Sequence, residues 1–283
     1  MSLYQNHNIY FFNNYHNGDV FYSKEFVRDI KNKIGIDHYY IHNNDFSILK
    51  DFDIKQIKSP TPDNSLSLST RNNDLFINSW VGQAQSKYLL YNCSLKSNYL
   101  IYTDIYKSLG INIEPIGFYI PKVDFEKVDK LNIDNYFQNI KKKFILVCNN
   151  NVFSGQSINF DFDPIIDHLS NIYQDTLFIL TNDSRLSKSN VINVNNIIGY
   201  NMRNLLEISY LSTKVDVIIG RGSGPFCFSH IQENMKNPDK KFISFTHQEN
   251  EGKWVPDSES NAKQFWSNNF DQNSIMNFIK NNI

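Results

Sequence analysis

The feature that most limits what this chain can fold into is a repeated switch between two hydrophobic periods. Short apolar runs alternate with longer segments whose apolar residues recur every three or four positions. A compact apolar run suits a buried strand, and the longer spacing suits a helix with one buried stripe. In the first part, residues 9–12, 38–41 and 75–77 read as strands. Val20, Phe21, Phe26, Val27 and Ile30 fall at helical spacing, and Gly35 stops that helix. Residues 85–109 carry a long helical pattern closed by Gly110, and 111–113 begin another strand. Residues 43–74 are the least regular stretch, and Ser59-Pro60-Thr61-Pro62 with the Asn/Ser run after it reads as loop. In the second part, strands are expected at 144–148, 177–180, 191–194, 215–219 and, last, 242–245. Helices are expected at 164–172, capped by Asp161 or Asp163, and at 203–211, 225–235 and 273–279.

Strands alternating with helices imply parallel sheets covered by helices on both faces. The alternation runs twice, on either side of a chain crossing marked by Pro115, Gly117 and Pro121. The economical reading is α/β with two Rossmann-like domains, residues 1–120 and 121–283. The last helix is free to pack back on the first domain.

Charge and composition exclude several classes. A net charge of -1 leaves no basic field for a nucleic acid backbone. Lys141-Lys142-Lys143 precedes an apolar run and reads as a solvated strand entrance. No apolar stretch approaches the roughly 20 residues that cross a bilayer. The opening residues have neither a basic region nor a small-residue cleavage site, so no signal peptide is expected. Cys93, Cys148 and Cys227 are too far apart for a metal motif, and a reducing, cytoplasmic setting fits them best.

Four segments could carry chemistry. The first is the loop after the first strand, ending His16-Asn17-Gly18-Asp19. Ligands of open α/β sheets bind beyond the carboxyl ends of strands. Gly18 would let the backbone turn sharply there. Asp19 is either a helix cap or the base that takes a proton from a hydroxyl. His16 is a rival base, or a loop histidine bonded to the backbone. The second segment, residues 149–157, offers Asn150, Asn151, Ser154, Gln156 and Ser157, neutral groups able to hold sugar hydroxyls or phosphate oxygens.

The third segment is the strongest. A buried strand runs into Gly220-Arg221-Gly222-Ser223-Gly224-Pro225 and then a helix. Glycines let the main chain approach phosphate, and Arg221 adds a forked cation suited to it. The spacing is neither a Rossmann fingerprint nor a P-loop, and a generic glycine turn is the plain alternative. The fourth segment carries His247, Glu249, Asn250 and Glu251, which could meet a ribose or a sugar. His247 and Glu249 lack a third metal ligand in any recognised spacing, and Asp51-Phe-Asp53 and Asp161-Phe-Asp163 follow no clear apolar strand. No metal site is expected. There is no G-x-S-x-G elbow.

Residues 9–30 and 215–230 together resemble bacterial heptosyltransferases and related inverting glycosyltransferases of the GT-B architecture. That family has a strand, a loop ending Gly-Asp and a helix, as Asn17-Gly18-Asp19-Val20 has here. It also has a glycine- and serine-bearing turn into a helix at the donor phosphates, matched in place by residues 220–225. The stretch Ser154-Gly155-Gln156-Ser157 looks like one in glycosyltransferase-like proteins of large DNA viruses and some bacteria. The family's lysine motif after the first strand of the second domain is missing; Asn and Ser stand there instead.

The resemblance implies two parallel sheets facing a central cleft, and metal-free transfer of a hexosyl or deoxyhexosyl group, with inversion, from a nucleoside diphosphate sugar to a glycan hydroxyl. Asp19 or His16 would be the base. Arg221, Gly222, Ser223 and Gly224, with Asn150, Asn151, Ser154, Gln156, Ser157, His247 and Glu249, would hold the donor. Asn17, Gly18, Trp80 and Gln83 would hold the acceptor. Two rivals use the same scaffold: a nucleotide-sugar epimerase, which needs no acceptor, and a binding protein without turnover.

Overall fold

The computed structural model describes residues 4–13, 15–59, 68–80, 95–111, 120–138, 140–199 and 204–283. The chain divides into two compact units, Met1–Lys122 and Val123–Ile283.

The first unit is built on five strands: β1 (Asn8–Phe12), β2 (His38–Ile41), β3 (Lys55–Ile57), β4 (Leu68–Arg71) and β5 (Asp74–Asn78). Their spatial order is β3-β2-β1-β5-β4. All pairings are parallel except β4 with β5. The least regular stretch, 43–74, therefore hides two strands. Both are short and polar, Lys-Gln-Ile and Leu-Ser-Thr-Arg, and lie at the sheet edges, where no apolar run is needed.

The expected helix after β1 is two helices, Asn17–Tyr22 and Lys24–Lys33. They break at Ser23, whose hydroxyl donates to the Val20 carbonyl and contacts the Tyr40 hydroxyl. Gly35 ends the pair at a φ of +87°, where a Cβ would lie 2.3 Å from Ile9 Cγ1. Lys24 is fully buried and paired with Asp51. The helix Leu95–Ser108 follows β5. The expected helical residues 85–94 and the strand start at 112–113 lie outside the described residues.

The second unit carries six strands: β6 (Lys143–Cys148), β7 (Thr176–Leu180), β8 (Val191–Asn193), β9 (Val217–Gly220), β10 (Lys241–Phe245) and β11 (Lys263–Ser267). Their order is β11-β10-β9-β6-β7-β8, and every pairing is parallel. The strand at 242–245 is not the last: β11 pairs with it. Lys-Gln-Phe-Trp-Ser is an edge strand with one buried apolar neighbour on one side only, so its pattern is weak.

The helix expected at 225–235 splits into Gly224–Phe228 and Gln232–Met235. Ser229 turns back onto the Pro225 carbonyl and His230 Nδ1 meets the Phe226 carbonyl between them. A further helix, Leu131–Gln138, lies in the stretch where the sequence pattern blurs. The closing helix, Gln272–Asn282, buries Ile275 and Ile279 in this unit's own core, beside Ile145, Val147, Ile166, Leu169 and Ile243. Each such side chain contributes about 1.5–3 kcal/mol when fully buried. No helix among the described residues is long and apolar enough to cross a membrane.

Candidate functional site

Strand order fixes where ligands can enter. In the first unit the chain steps from β1 to β2 and β3 on one side, and places β5 on the other. In the second it steps from β6 to β7 and β8, then returns to β9, β10 and β11. Each sheet therefore reverses direction once, between β1 and β5 and between β6 and β9. Loops leaving the carboxyl ends of such strand pairs diverge and leave room for a ligand.

At the β1/β5 reversal, Asn13 and Asn78 do the same local work. The Asn13 side-chain carbonyl accepts from the Tyr15 N–H at 3.0 Å, and that of Asn78 accepts from the Trp80 N–H at 3.0 Å. Asn is suited to this turn. The result is a Tyr15–Trp80 stack with ring centroids 3.6 Å apart and 12° between planes. The Asn44 amide donates to the Tyr15 carbonyl at 2.7 Å.

Asp19 sits in the first turn of the Asn17–Tyr22 helix, three residues after His16 at the cap position. Burial raises the pKa of its carboxyl. The charge of His16, the N–H groups of His16 and of Asp19 itself, and the Trp80 side-chain hydrogen bond oppose that rise without cancelling it. Part of its capacity thus goes to the helix start, as in a capping box. The structure brings His16, Asp19 and Trp80 together, with Asn17 beginning the helix. Gly18 is corrected: it lies in the helix without a positive φ, so no sharp turn depends on it. Gln83 lies outside the described residues. Tyr15 was missed, although the repeated Asn-x-aromatic pattern at the two strand ends was a readable signal.

At the β6/β9 reversal, Cys148 lies opposite Gly220. A Cβ on Gly220 would stand 2.5 Å from the Phe226 ring, so this glycine serves strand–helix packing. Gly222 is different. Its φ is +76°, and a Cβ there would have as nearest neighbours Gln156 Oε1 at 3.5 Å, the Glu251 carbonyl at 3.6 Å and Thr246 Cγ2 at 3.7 Å. Three strand-end loops thus meet around its α-carbon. The His247 N–H donates to the Gln156 carbonyl at 2.9 Å, and the Ser157 hydroxyl to the Phe245 carbonyl at 2.8 Å, which locks two of them together. Ser223 caps the short Gly224–Phe228 helix in extended conformation, and its hydroxyl is buried without a partner.

Arg221 is the main correction. It is 1% exposed. Its guanidinium donates to the carbonyls of Asn149 and Asn150 at 2.9 and 3.0 Å and to that of Phe160, and it packs against the Phe160 and Phe162 rings. Burial lowers its pKa to about 10, which leaves it charged at neutral pH. Its two terminal nitrogens are taken by main chain and hold the 149–162 loop, while Nε is buried without a partner and the side chain lines the cavity shared with Asn149, Asn151 and Arg185. Glycines on both sides let the backbone turn the side chain inward.

The other expected donor residues divide. Asn150 takes a hydrogen bond from Thr181 at 2.6 Å and is committed to the scaffold. Ser157 is a strut. Ser154 is exposed, and so is Glu249, which pairs with Lys253 at 2.9 Å. His247 is exposed with its ring edge on Phe270. Phe153, which sequence reasoning did not weigh, stands 87% exposed on the same loop as Gln156. Asn151 lines a cavity of about 480 Å³ with Asn149, Asn159, Asn182 and Arg185. Arg185 there bridges Asp161 and Asp163. Burial pushes the Asp163 carboxyl up, but the Arg185 N–H, the Ser184 hydroxyl and the Arg185 side chain outweigh it and hold the pKa below its ordinary value. The Asp161 carboxylate accepts from the Asp163 N–H just ahead of the Asp163–Ile172 helix, whose cap position is Phe162 and carries no side-chain cap. Both Asp-x-Asp pairs are therefore engaged in ion pairs, Asp51 with Lys24 and Asp161 and Asp163 with Arg185. Among the described residues no three His, Cys, Asp or Glu side chains assemble as a metal site would need.

No family model matches the chain, and no curated protein matches it by sequence. Solved structures do. A glycosyl transferase family 9 protein from Veillonella parvula aligns over 100% of this chain and 92% of its own, at 10% identity and a TM-score of 0.56. The E. coli heptosyltransferase WaaC with ADP aligns over 98% and 100%, at 9% identity and a TM-score of 0.55. The fold is GT-B-like. A UDP-GlcNAc 2-epimerase from Neisseria meningitidis, bound to UDP-GlcNAc, shares this GT-B-like fold at 10% identity over 96% and 90% of the two chains, with a TM-score of 0.52.

Proposed function

We propose that the chain transfers a sugar from a nucleoside diphosphate sugar to a hydroxyl of a glycan acceptor, with inversion and without a metal. The observation that carries this reading is Gly222 at the β6/β9 reversal of a GT-B-like fold. Gly222 is buried at a φ of +76°, with Gln156, Thr246 and Glu251 converging at van der Waals distance from the position of a Cβ, and it lies beside a buried Ser223 hydroxyl with no partner. A diphosphate bound there meets main-chain N–H groups, the Ser223 hydroxyl and the Gln156 amide. Oriented neutral donors stabilise an anion without reorganising, which lets them hold a departing nucleotide. The asparagine-lined cavity beside it is of a size that takes a nucleoside.

Asp19 supplies the base. A carboxyl raised by burial is a stronger base than an exposed one. The acceptor hydroxyl gives its proton to Asp19 as its oxygen attacks the sugar's anomeric carbon, and the bond to the diphosphate breaks with the electron pair leaving on phosphate. The solved relatives in fold include proteins bound to ADP and to UDP-GlcNAc, which supports a nucleotide ligand and leaves the base to experiment.

The test is a thermal-shift screen of the full chain against ADP, UDP, GDP, CDP and dTDP and their sugars, with and without EDTA. A ligand at about 100 times its Kd adds about 2.7 kcal/mol to native stability. One nucleotide class should raise Tm, unchanged by EDTA. No response from any of them would remove the reading. Turnover of the responding sugar without any acceptor would favour an epimerase.

A further inference from the structure

The β1/β5 reversal holds a feature that donor binding does not use. Tyr15 and Trp80 leave adjacent parallel strands and are fixed against each other by matched Asn turns, in near-parallel contact. Tyr15 nevertheless keeps 36% of its surface open. A rigid aromatic step open to solvent, where the sheet reverses, is a preformed ligand face. Beside it stands the Asp19 carboxylate, hydrogen-bonded to Trp80.

We propose that Tyr15 and Trp80 form the stacking platform of a subsite that takes the C–H face of a neutral pyranose ring. The axial hydrogens of a pyranose carry partial positive charge and complement the electron-rich ring face. A stacked ring places its hydroxyls at the edge of the platform, within reach of a carboxylate acceptor. A nucleobase would stack as well, but the Asp19 carboxylate would repel its diphosphate. Lys24, on the adjoining helix, is fully buried and paired with Asp51. A phosphorylated sugar is disfavoured for the same reason. The proposal rests on the sugar-transfer reading for one point, that this pyranose is the acceptor.

The experiment is ligand-observed saturation-transfer NMR on the full chain with methyl glycopyranosides of glucose, galactose, mannose and N-acetylglucosamine, and with glucose 6-phosphate as the charged control. At least one neutral glycoside should receive saturation at its ring C–H protons, and glucose 6-phosphate should not. Tyr15→Ala should weaken that binding about tenfold, the scale of one aromatic contact, and Tyr15→Phe should keep it. Thermal shifts with the responding nucleotide should be the same in all three proteins, which also reports folding. No saturation of any neutral glycoside, equal binding in Tyr15→Ala, or preference for the phosphate would overturn the platform. Loss of the nucleotide response in the wild type would instead overturn the donor reading and leave the platform standing.

Discussion

The two sheet reversals solve the same geometric problem with opposite chemistry. At β1/β5 the side chains act: a carboxyl raised by burial, a histidine and two stacked rings. At β6/β9 the main chain acts: a glycine at φ +76° and a buried hydroxyl, while the nearest cation faces inward onto carbonyls. A side-chain site tolerates backbone regularity, so Gly18 sits in an ordinary helix. A main-chain site needs special backbone, and its arginine is used to hold that backbone in place.

Substitutions at five positions, with pH dependence, break or sharpen this contrast. The largest effect is expected at the first reversal. Asp19→Asn should lower the transfer rate 100- to 10,000-fold, the usual worth of a general base, with nucleotide thermal shifts unchanged. In the wild type the rate should rise with pH as Asp19 loses its proton, over a range above that of an ordinary carboxylate. Rates within twofold of wild type in the variant would remove Asp19 from the chemistry.

Next is Arg221→Met at the second reversal. It leaves the carbonyls of Asn149, Asn150 and Phe160 without their donor. We expect a loss of about 3–5 kcal/mol and a fall in Tm of roughly 10 °C. An unchanged melting temperature with nucleotide binding abolished would return Arg221 to the phosphates.

The third concerns the support beneath that glycine turn. His230 is buried between Phe226 and Phe242, and burial lowers its pKa to about 4. The unfolded chain binds this proton near pH 6.5 and the folded one near 4, so stability should fall as pH drops through that window. The loss is on the order of 3 kcal/mol at its end. Urea denaturation of wild type and His230→Gln at pH 7 and pH 4.5 reads this directly, and the variant should have the shallower dependence. Equal slopes would contradict it.

The smallest stability effect is expected at Gly222. Alanine there has no neighbour closer than 3.5 Å but must hold a φ of +76°, at a cost of about 1–2 kcal/mol. Its effect on nucleotide affinity should exceed that on Tm. Gly220→Ala should do the reverse, because its methyl would press on Phe226. Equal affinity loss in both would mean that packing, not phosphate contact, explains these glycines.

The parallel strands with apolar runs on both faces were legible in the sequence, as were the loops that follow them. The edge strands β3, β4 and β11 were not, because a strand with one free edge can be short and polar. Helix breaks at Ser23 and Ser229–Ile231 were hidden because the apolar spacing continues across them while a hydroxyl or an imidazole redirects the backbone. That Asp19, His16 and Trp80 lie together was legible from their place after strands. The inward turn of Arg221 was not, since a guanidinium that binds carbonyls and one that binds phosphate look alike in sequence. Only the acceptors around it, Asn149, Asn150 and Phe160, decide the matter, and they lie 61 to 72 residues away.

Backbone hydrogen exchange, followed with and without the nucleoside diphosphate that raises Tm, asks most directly whether main chain at the β6/β9 reversal carries the ligand. Slower exchange in peptides covering residues 149–158 and 220–228, with 13–19 and 78–80 unaffected, is the predicted result. Protection confined to the first unit, or no change near Gly222, would contradict it.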